Sequence, residues 1–423
     1  MANQTARSHY LRAWPLLVFS VLCYFITSTV ASSMNIAAVL LEQARGWDGV
    51  LITSMISVAS VGNVVAGFIA GRACSKASAK KLCVLWGVLY VAGLALMGIS
   101  KEFALFSVSM VVANAASSAL GYNTVPVLLA NWFPTKKGTV QGFVSMGIPL
   151  GAGFASIVYN IGFNALGVDG AFVPFMVIAA IALALLAFGV SDTPEERGLV
   201  PDTLERCEPH KVERVVAGED GSDKNLASQL LRNPRFILLS LVLGIQLIFS
   251  GGLMVQLAPR LIELGYTMDE ALAAMLASAL FACAGSFICG VIGDKFGSRV
   301  GAILSFVLGI VAIALNLSGN SVCVFASLAL IGVVVGGADN WPVNICAEYF
   351  GREGFASSFG LMLPIIQLVG AIGPSFFALI SGATGSYVVS YIAGAALMAA
   401  GLVAFLALTR NGMLGEGEAK AND

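Results

Sequence analysis

The chain has 423 residues, of which 58% are hydrophobic and only 11% are charged. A soluble domain carries about 25% charged residues, so this composition excludes an ordinary soluble protein and indicates an integral membrane protein. The formal net charge of −1 points to no particular partner, and we expect none that is a nucleic acid. The eight cysteines have no paired spacing, so we expect no disulfide framework, no metal site and no cofactor.

Long apolar runs follow one another along the chain. A helix of about 20 apolar residues spans a bilayer. The predicted spans are 14–39, 49–70, 82–100, 103–130, 139–161, 171–190, 236–258, 271–291, 300–318, 322–346, 355–380 and 386–409. The first run is too long for a signal-peptide core and carries no small-residue cleavage site, so we expect it to be a retained span.

A polar, charged and proline-containing segment, residues 191–235, interrupts these spans. It has no phosphate loop, Cys-x-x-Cys or Ser/His/Asp constellation, and is most simply a solvated tether. We therefore predict an all-α integral membrane fold with twelve transmembrane helices in two pseudo-symmetric six-helix bundles. The predicted domains are the bundles 1–190 and 236–410, the cytoplasmic linker 191–235 and a cytoplasmic tail 411–423.

The distribution of basic residues predicts the orientation in the membrane. If the N-terminus lies inside, nearly all Lys and Arg residues fall in cytoplasmic segments, and only Arg45, Lys101 and Arg260 lie outside. The positive-inside rule then places both termini in the cytoplasm. The short loops favour a bacterial inner membrane, and we expect a multi-pass monomer.

A charged loop motif occurs once in each half, after the second span and before the third. The second copy contains Gly290, Asp294, Lys295, Gly297 and Arg299. Because both copies occupy equivalent places in two hydrophobic halves, the chain has the signature of an internal duplication, which is typical of transporters.

The first copy is less complete. It keeps Gly67, Arg72 and Lys76, but Gly71 stands at the position of the acid. Twelve spans, a central linker and these loops together resemble the major facilitator superfamily. The resemblance implies that the second loop is a conformational latch, formed by charge and helix-end contacts. The missing acid argues against an equivalent latch in the first half.

A second repeated element resembles particular branches of that superfamily. Asn131-Trp132-Phe133-Pro134 leads into Lys136-Lys137-Gly138, a pattern similar to monocarboxylate porters and oxalate/formate antiporters. Gly147–Gly153 loosely resembles an antiporter motif of the fifth helix. Oxalate-type antiporters place bases in spans 8 and 11, whereas the corresponding stretches here, 281–287 and 364–368, contain no Lys or Arg.

Asp339 is the acid that lies well inside a predicted span. Counting from Phe350, a rise of 1.5 Å per residue places it about 16 Å deep. A carboxylate at that depth is costly and usually marks an ion or substrate path. An apolar surrounding favours the neutral acid, so Asp339 is a candidate proton carrier or a partner for a cationic ligand. The alternative is a permanently protonated Asp339 bonded to a backbone carbonyl near Pro342.

Polar side chains lie at helical spacing in several spans, mainly 1, 4, 7 and 10, which line the central cavity in the resembled superfamily. We interpret them as candidates for a substrate or proton pathway, the alternative being that they hold helices together. The candidates are Tyr24, Ser28, Ser32, Asn35, Asn114, Ser117, Ser118, Tyr122, Gln246, Ser250, Asp339, Asn340, Asn344 and Gln367.

These observations lead to a secondary transporter that works by alternating access, with the lipid bilayer, a small-molecule substrate and a proton or counter-solute as partners. The branch resemblance implies a small organic acid, moved as antiporter or symporter. Asp339 and the missing bases instead favour proton-coupled transport of a neutral or cationic solute. A non-transporting receptor on the same fold is a third hypothesis. We expect no enzyme, because Asp339 has no second acid, His or metal partner within the spans.

Overall fold

The computed structural model of the chain describes residues 2–199 and 223–410. These residues are predominantly helical, as the composition predicts. The predicted tail 411–423 and the central part of the predicted linker lie outside the described residues.

The range before the gap contains eight α-helices. They are α1 (Ala2–Arg45), α2 (Gly49–Cys74), α3 (Ala79–Ile99), α4 (Phe103–Ser118), α5 (Val125–Trp132), α6 (Lys137–Ser145), α7 (Gly147–Gly170) and α8 (Val173–Gly189). A π-helical turn, Ala119–Thr124, joins α4 to α5, and a 3₁₀ turn, Pro194–Arg197, follows α8.

The range after the gap contains the other eight. They are α9 (Asp223–Arg232), α10 (Pro234–Glu263), α11 (Met268–Phe296), α12 (Ser298–Leu317), α13 (Ser321–Ala338), α14 (Asn340–Gly370), α15 (Gly373–Thr384) and α16 (Tyr387–Leu408).

Within the described residues, eleven helical stretches are long and apolar enough to cross a membrane, and α8 is a further apolar helix of 17 residues. The predicted all-α, multi-pass fold is therefore confirmed. One predicted span, 322–346, contains the junction of α13 and α14. The chain then changes direction inside α14 at Gly351, where φ is 61°, a left-handed conformation that glycine adopts without strain.

The chain folds as two compact units. The first comprises residues 1–136 and 144–207, and the second comprises residues 137–143 and 208–423. The first turns of α6 thus belong to the second unit, although they precede α7 of the first unit in sequence.

Small and hydroxyl side chains bring α7 against α1 in the first unit. A Cβ on Gly151 would collide with the carbonyl of Phe25, so the two backbones can approach this closely only at glycine. Ser28 Oγ donates to the carbonyl of Ile148 at 3.0 Å, and Ser156 Oγ donates to the carbonyl of Ser32 at 3.2 Å. The side chain of Ser28, a predicted pathway residue, is therefore engaged in helix packing, whereas Ser32 takes part through its backbone carbonyl.

The chain that follows α8 is fixed to the start of α3. Asp192 accepts a hydrogen bond from the backbone N–H of Lys80 at 2.7 Å and another from Ser78 Oγ. Trp132 Nε1 donates to the carbonyl of Ser191 at 3.0 Å, and Asn131 Nδ2 donates to that of Asp192 at 3.3 Å. The first residues of the predicted linker are therefore anchored to the first unit.

We expect Asp192→Ala to destabilise the first unit by about 1 kcal/mol, because it removes an acceptor from the first turn of α3. Amide exchange at Lys80 should accelerate and the thermal midpoint of the purified protein should fall. The exposed neighbour Glu196 provides the matched control, Glu196→Ala, which should change neither value. Equal effects of both substitutions would contradict the capping role.

Candidate functional site

Asp339 lies at the junction of α13 and α14. Its backbone is helical (φ −74°, ψ −14°) and its side chain is half-buried. No described residue gives its carboxyl group a hydrogen bond or an ion pair. The next residue, Asn340, is fully buried and its Nδ2 donates to the carbonyl of Ser286 on α11 at 2.8 Å. The structure therefore holds the neighbour firmly in place and leaves the carboxyl of Asp339 without a partner among the described residues.

The fourth span is not a continuous α-helix. The π-helical turn, residues 119–124, widens it next to Pro126. Asn123 Nδ2 donates to the carbonyl of Ser118 at 3.2 Å, and Thr124 Oγ1 donates to that of Ala119 at 2.8 Å, each five residues back. Such turns occur frequently at functional sites. The sequence Gly-Tyr-Asn-Thr-Val-Pro, residues 121–126, was the local sign of an irregular helix at this point.

Around this turn lie aromatic and uncharged polar groups. The rings of Tyr24 and Tyr122 meet edge to face, with centroids 6.1 Å apart. The Oγ of Ser118 and the Oδ1 of Asn123 are buried without a hydrogen-bond partner. Such groups favour a bound ligand or water that would satisfy them. Asn123 was absent from the sequence-based candidates.

Two other candidates of span 4 are bonded elsewhere: Asn114 joins two helices, and Ser117 bonds within its own helix. The amides of Asn114 and Asn63 lie 3.1 Å apart and join α4 to α2, and Ser117 Oγ donates to the carbonyl of Asn114 at 2.8 Å. Of the predicted stripe, Asn114, Ser117 and Ser118 precede the π turn and Tyr122 lies within it. The turn therefore shifts Tyr122 out of the helical register of the other three. The side chain of Asn35 lies outside the described residues.

The two candidates of span 7 are also hydrogen-bonded to backbone carbonyls. Gln246 is buried, and its Nε2 points to the carbonyl of Ala302 on α12 at 3.5 Å. Ser250 Oγ donates to the carbonyl of Leu247 in its own helix at 3.3 Å. Gln367 on α14 is half-buried, and its Oε1 is buried without a partner.

The base that could have bound an anion near the end of span 7 is occupied. Arg260 is only 4% exposed; its Nε donates to Asn316 Oδ1 at 3.1 Å, and its guanidinium pairs with Glu263 and lies over the ring of Tyr391. In this arrangement the cation is neutralised inside the second unit and is not free for a substrate.

The acid of the second loop motif binds the start of α6. Asp294 Oδ1 accepts the backbone N–H of Gly138 at 2.8 Å, and Oδ2 accepts that of Thr139 at 2.6 Å. The first N–H groups of a helix have no partner within the helix and carry partial positive charge, so a carboxylate is the appropriate acceptor. These contacts join the end of α11 to the start of α6.

Small residues allow α6 and α11 to approach closely enough for this contact. A Cβ on Gly290 would collide with the carbonyl of Gly138, and a Cβ on Gly142 would collide with that of Ser286. Ser286, Gly290 and Asp294 are spaced by four residues and share one face of α11. Gly290 therefore lets α11 approach α6 closely enough for Asp294 to accept the N–H of Gly138.

The remaining motif residues act locally or remain exposed. Gly297 ends α11 at φ 85°, and Arg299 Nε donates to Thr409 Oγ1 at 3.2 Å. Lys295 is exposed. In the first copy Gly67 is buried, whereas Arg72 and Lys76 are exposed and form no ion pair with a described residue.

A family comparison identifies the class of protein. Residues 20–283 match the model of the Major Facilitator Superfamily. The chain belongs to this superfamily of membrane transporters. It is also 23% identical, over 308 residues that cover 72% of each protein, to the uncharacterized MFS-type transporter YhjX of Escherichia coli (strain K12). Membership sets it among transporters rather than enzymes.

Solved structures share the fold. The proton:xylose symporter XylE matches with a TM-score of 0.73 at 14% identity, over 99% of this chain and 100% of that one. The human organic anion transporter MFSD10 (TETRAN) matches at 0.66 with 16% identity, over 96% and 99%. The E. coli fucose:proton symporter FucP matches at 0.65 with 17% identity, over 92% and 97%. The superfamily is confirmed, and the resemblance to particular branches stays a prediction.

We expect Asp294→Ala to loosen the contact between α11 and α6. Amide exchange at Gly138 and Thr139 should accelerate about tenfold, since a charge-assisted hydrogen bond contributes about 1.5–3 kcal/mol. The exposed Lys295 provides a control, because Lys295→Ala leaves these N–H groups bonded. Unchanged exchange in Asp294→Ala would show that the carboxylate does not stabilise the start of α6.

Proposed function

We propose that the protein is a secondary active transporter that moves a small, uncharged polar solute together with protons, by alternating access. Asp339 carries the proton. The observation that supports this most directly is its carboxyl group, which lies at a helix junction without a partner in the described parts of the chain, while the adjacent Asn340 is buried and bonded.

The chemistry of the groups near the π turn supports an uncharged solute. Hydroxyl, amide and phenol groups are present at Ser118, Tyr122, Asn123 and Tyr24. Such groups donate and accept hydrogen bonds with a polyol or a similar solute, and an aromatic ring packs against its apolar face. XylE and FucP, which share the fold, are named as proton symporters of sugars.

An organic acid is the second candidate substrate. The Trp-Phe-Pro-basic-basic-Gly pattern at 132–138 and the named organic anion transporter MFSD10 favour it. Two bases that could bind its carboxylate are already engaged, because Arg260 pairs with Glu263 and Lys137 Nζ donates to the carbonyl of Ala347 at 3.2 Å. A bound carboxylate would therefore depend more on hydroxyl and amide donors than on these two cations.

The contact between Asp294 and α6 is the proposed latch. A transporter must open and close access to its site, and a helix end bound by one carboxylate is a contact that can break without unfolding either helix. The loop is predicted to lie on the cytoplasmic side of an inner membrane, where both termini are also predicted to lie. In that position it would close the cytoplasmic side of the transporter.

We expect Asp339→Asn to abolish the pH dependence of solute uptake while exchange of solute across the membrane continues. An amide cannot release a proton, so the carrier would cycle without it. Initial rates in proteoliposomes, with and without an imposed pH gradient, measure this. Asp269→Asn, at the exposed start of α11, is the matched control. If Asp339→Asn retained the full response to the gradient, another group would carry the proton.

A further inference from the structure

One buried amide among the described residues has no partner at either of its polar atoms. Asn344 on α14 is 6% exposed, and both its Nδ2 and its Oδ1 lack a hydrogen bond. The buried side chains of Asn123, Gln246 and Gln256 each keep their nitrogen bonded and leave only the oxygen without a partner. Asn344 is therefore the least satisfied amide of the described chain.

This amide lies inside the contact that Asp294 closes. A Cβ on Gly138 of α6 would stand 3.0 Å from Asn344 Oδ1, and a Cβ on Gly293 of α11 would collide with Asn344 Nδ2. The amide is thus packed between the two helices where only glycine leaves it room. Gly138 supplies the backbone N–H that Asp294 accepts.

The two polar groups act in opposite directions on the same contact. Asp294 stabilises the closed arrangement, because it satisfies N–H groups at the positive end of α6. Asn344 destabilises it, because closing the contact removes a donor and an acceptor from water and returns no hydrogen bond. Separation of α6 from α11 would let water reach the amide and end that cost.

We propose that Asn344 is a gating residue: its unsatisfied amide sets how readily the contact between α6 and α11 opens, and it becomes hydrated in the open state. This assignment differs from a place in the substrate pathway, which was the expectation from the sequence. The word gate rests on the proposed transport function, whereas the effect of Asn344 on the opening of the contact does not.

The test measures amide exchange of Gly138 and Thr139 in the purified, unliganded full-length protein. Asn344→Leu replaces the amide by an apolar group of similar shape, so exchange at these two positions should slow at least tenfold. Asn340→Leu, one turn away on the same helix, removes an amide that is bonded to Ser286 and should speed exchange instead.

Because leucine could be too bulky beside Gly293, Asn344→Ala repeats the measurement without added volume. Slower exchange in either Asn344 variant supports the proposal. Unchanged or faster exchange in both would overturn it, since the amide would then be neutral or favourable in the closed state. No solute or proton gradient enters the experiment, so its outcome is independent of which substrate is transported.

Discussion

The structure depends on carboxylates that bind the unpaired N–H groups at the starts of its helices. Asp192 binds the start of α3, Asp294 that of α6 and Glu348 that of α12, where it accepts the N–H of Ser298 at 2.9 Å. The first N–H groups of a helix have no partner within that helix, so each of these starts needs an acceptor from elsewhere. Each carboxylate comes from a different part of the chain than the helix it binds.

These helix starts also carry basic residues, which makes the carboxylates more important. Lys80 and Lys81 lie in the first turn of α3, and Lys136 and Lys137 flank the start of α6. A cation near the positive end of a helix is unfavourable. One carboxylate offsets both the unpaired N–H groups and the added positive charge, so its removal should change the position of a whole helix rather than one side chain.

Asp339 differs from these acids, and the difference supports its proposed role. The three capping carboxylates accept hydrogen bonds from backbone N–H groups. The Asp339 carboxyl has no partner among the described residues and lies where the backbone changes from one helix to the next. An acid whose charge is not neutralised by the protein is free to exchange a proton with the solution or to meet a ligand.

The sequence predicted the membrane class, the repeated loops and the acid within span 10, because hydropathy, charge asymmetry and an Asp inside an apolar run are local signals. It could not predict the π turn at 119–124, which depends on packing as well as on Pro126. It selected Asn114, which binds Asn63, and missed Asn123, since both are amides on one apolar span and no local signal ranks one above the other. The closeness of Gly138 to Gly290 is a tertiary contact with no local sign.

Solute-induced proton uptake is the most direct test of whether Asp339 couples the movement of protons to that of the solute. Proteoliposomes that contain the protein and a trapped pH indicator would be exposed to inward gradients of neutral polyols and sugars, and separately of organic acids, without an imposed pH gradient. We expect internal acidification with an uncharged solute in the native protein and none in Asp339→Asn. Solute uptake with no proton movement, or acidification that persists unchanged in Asp339→Asn, would contradict it.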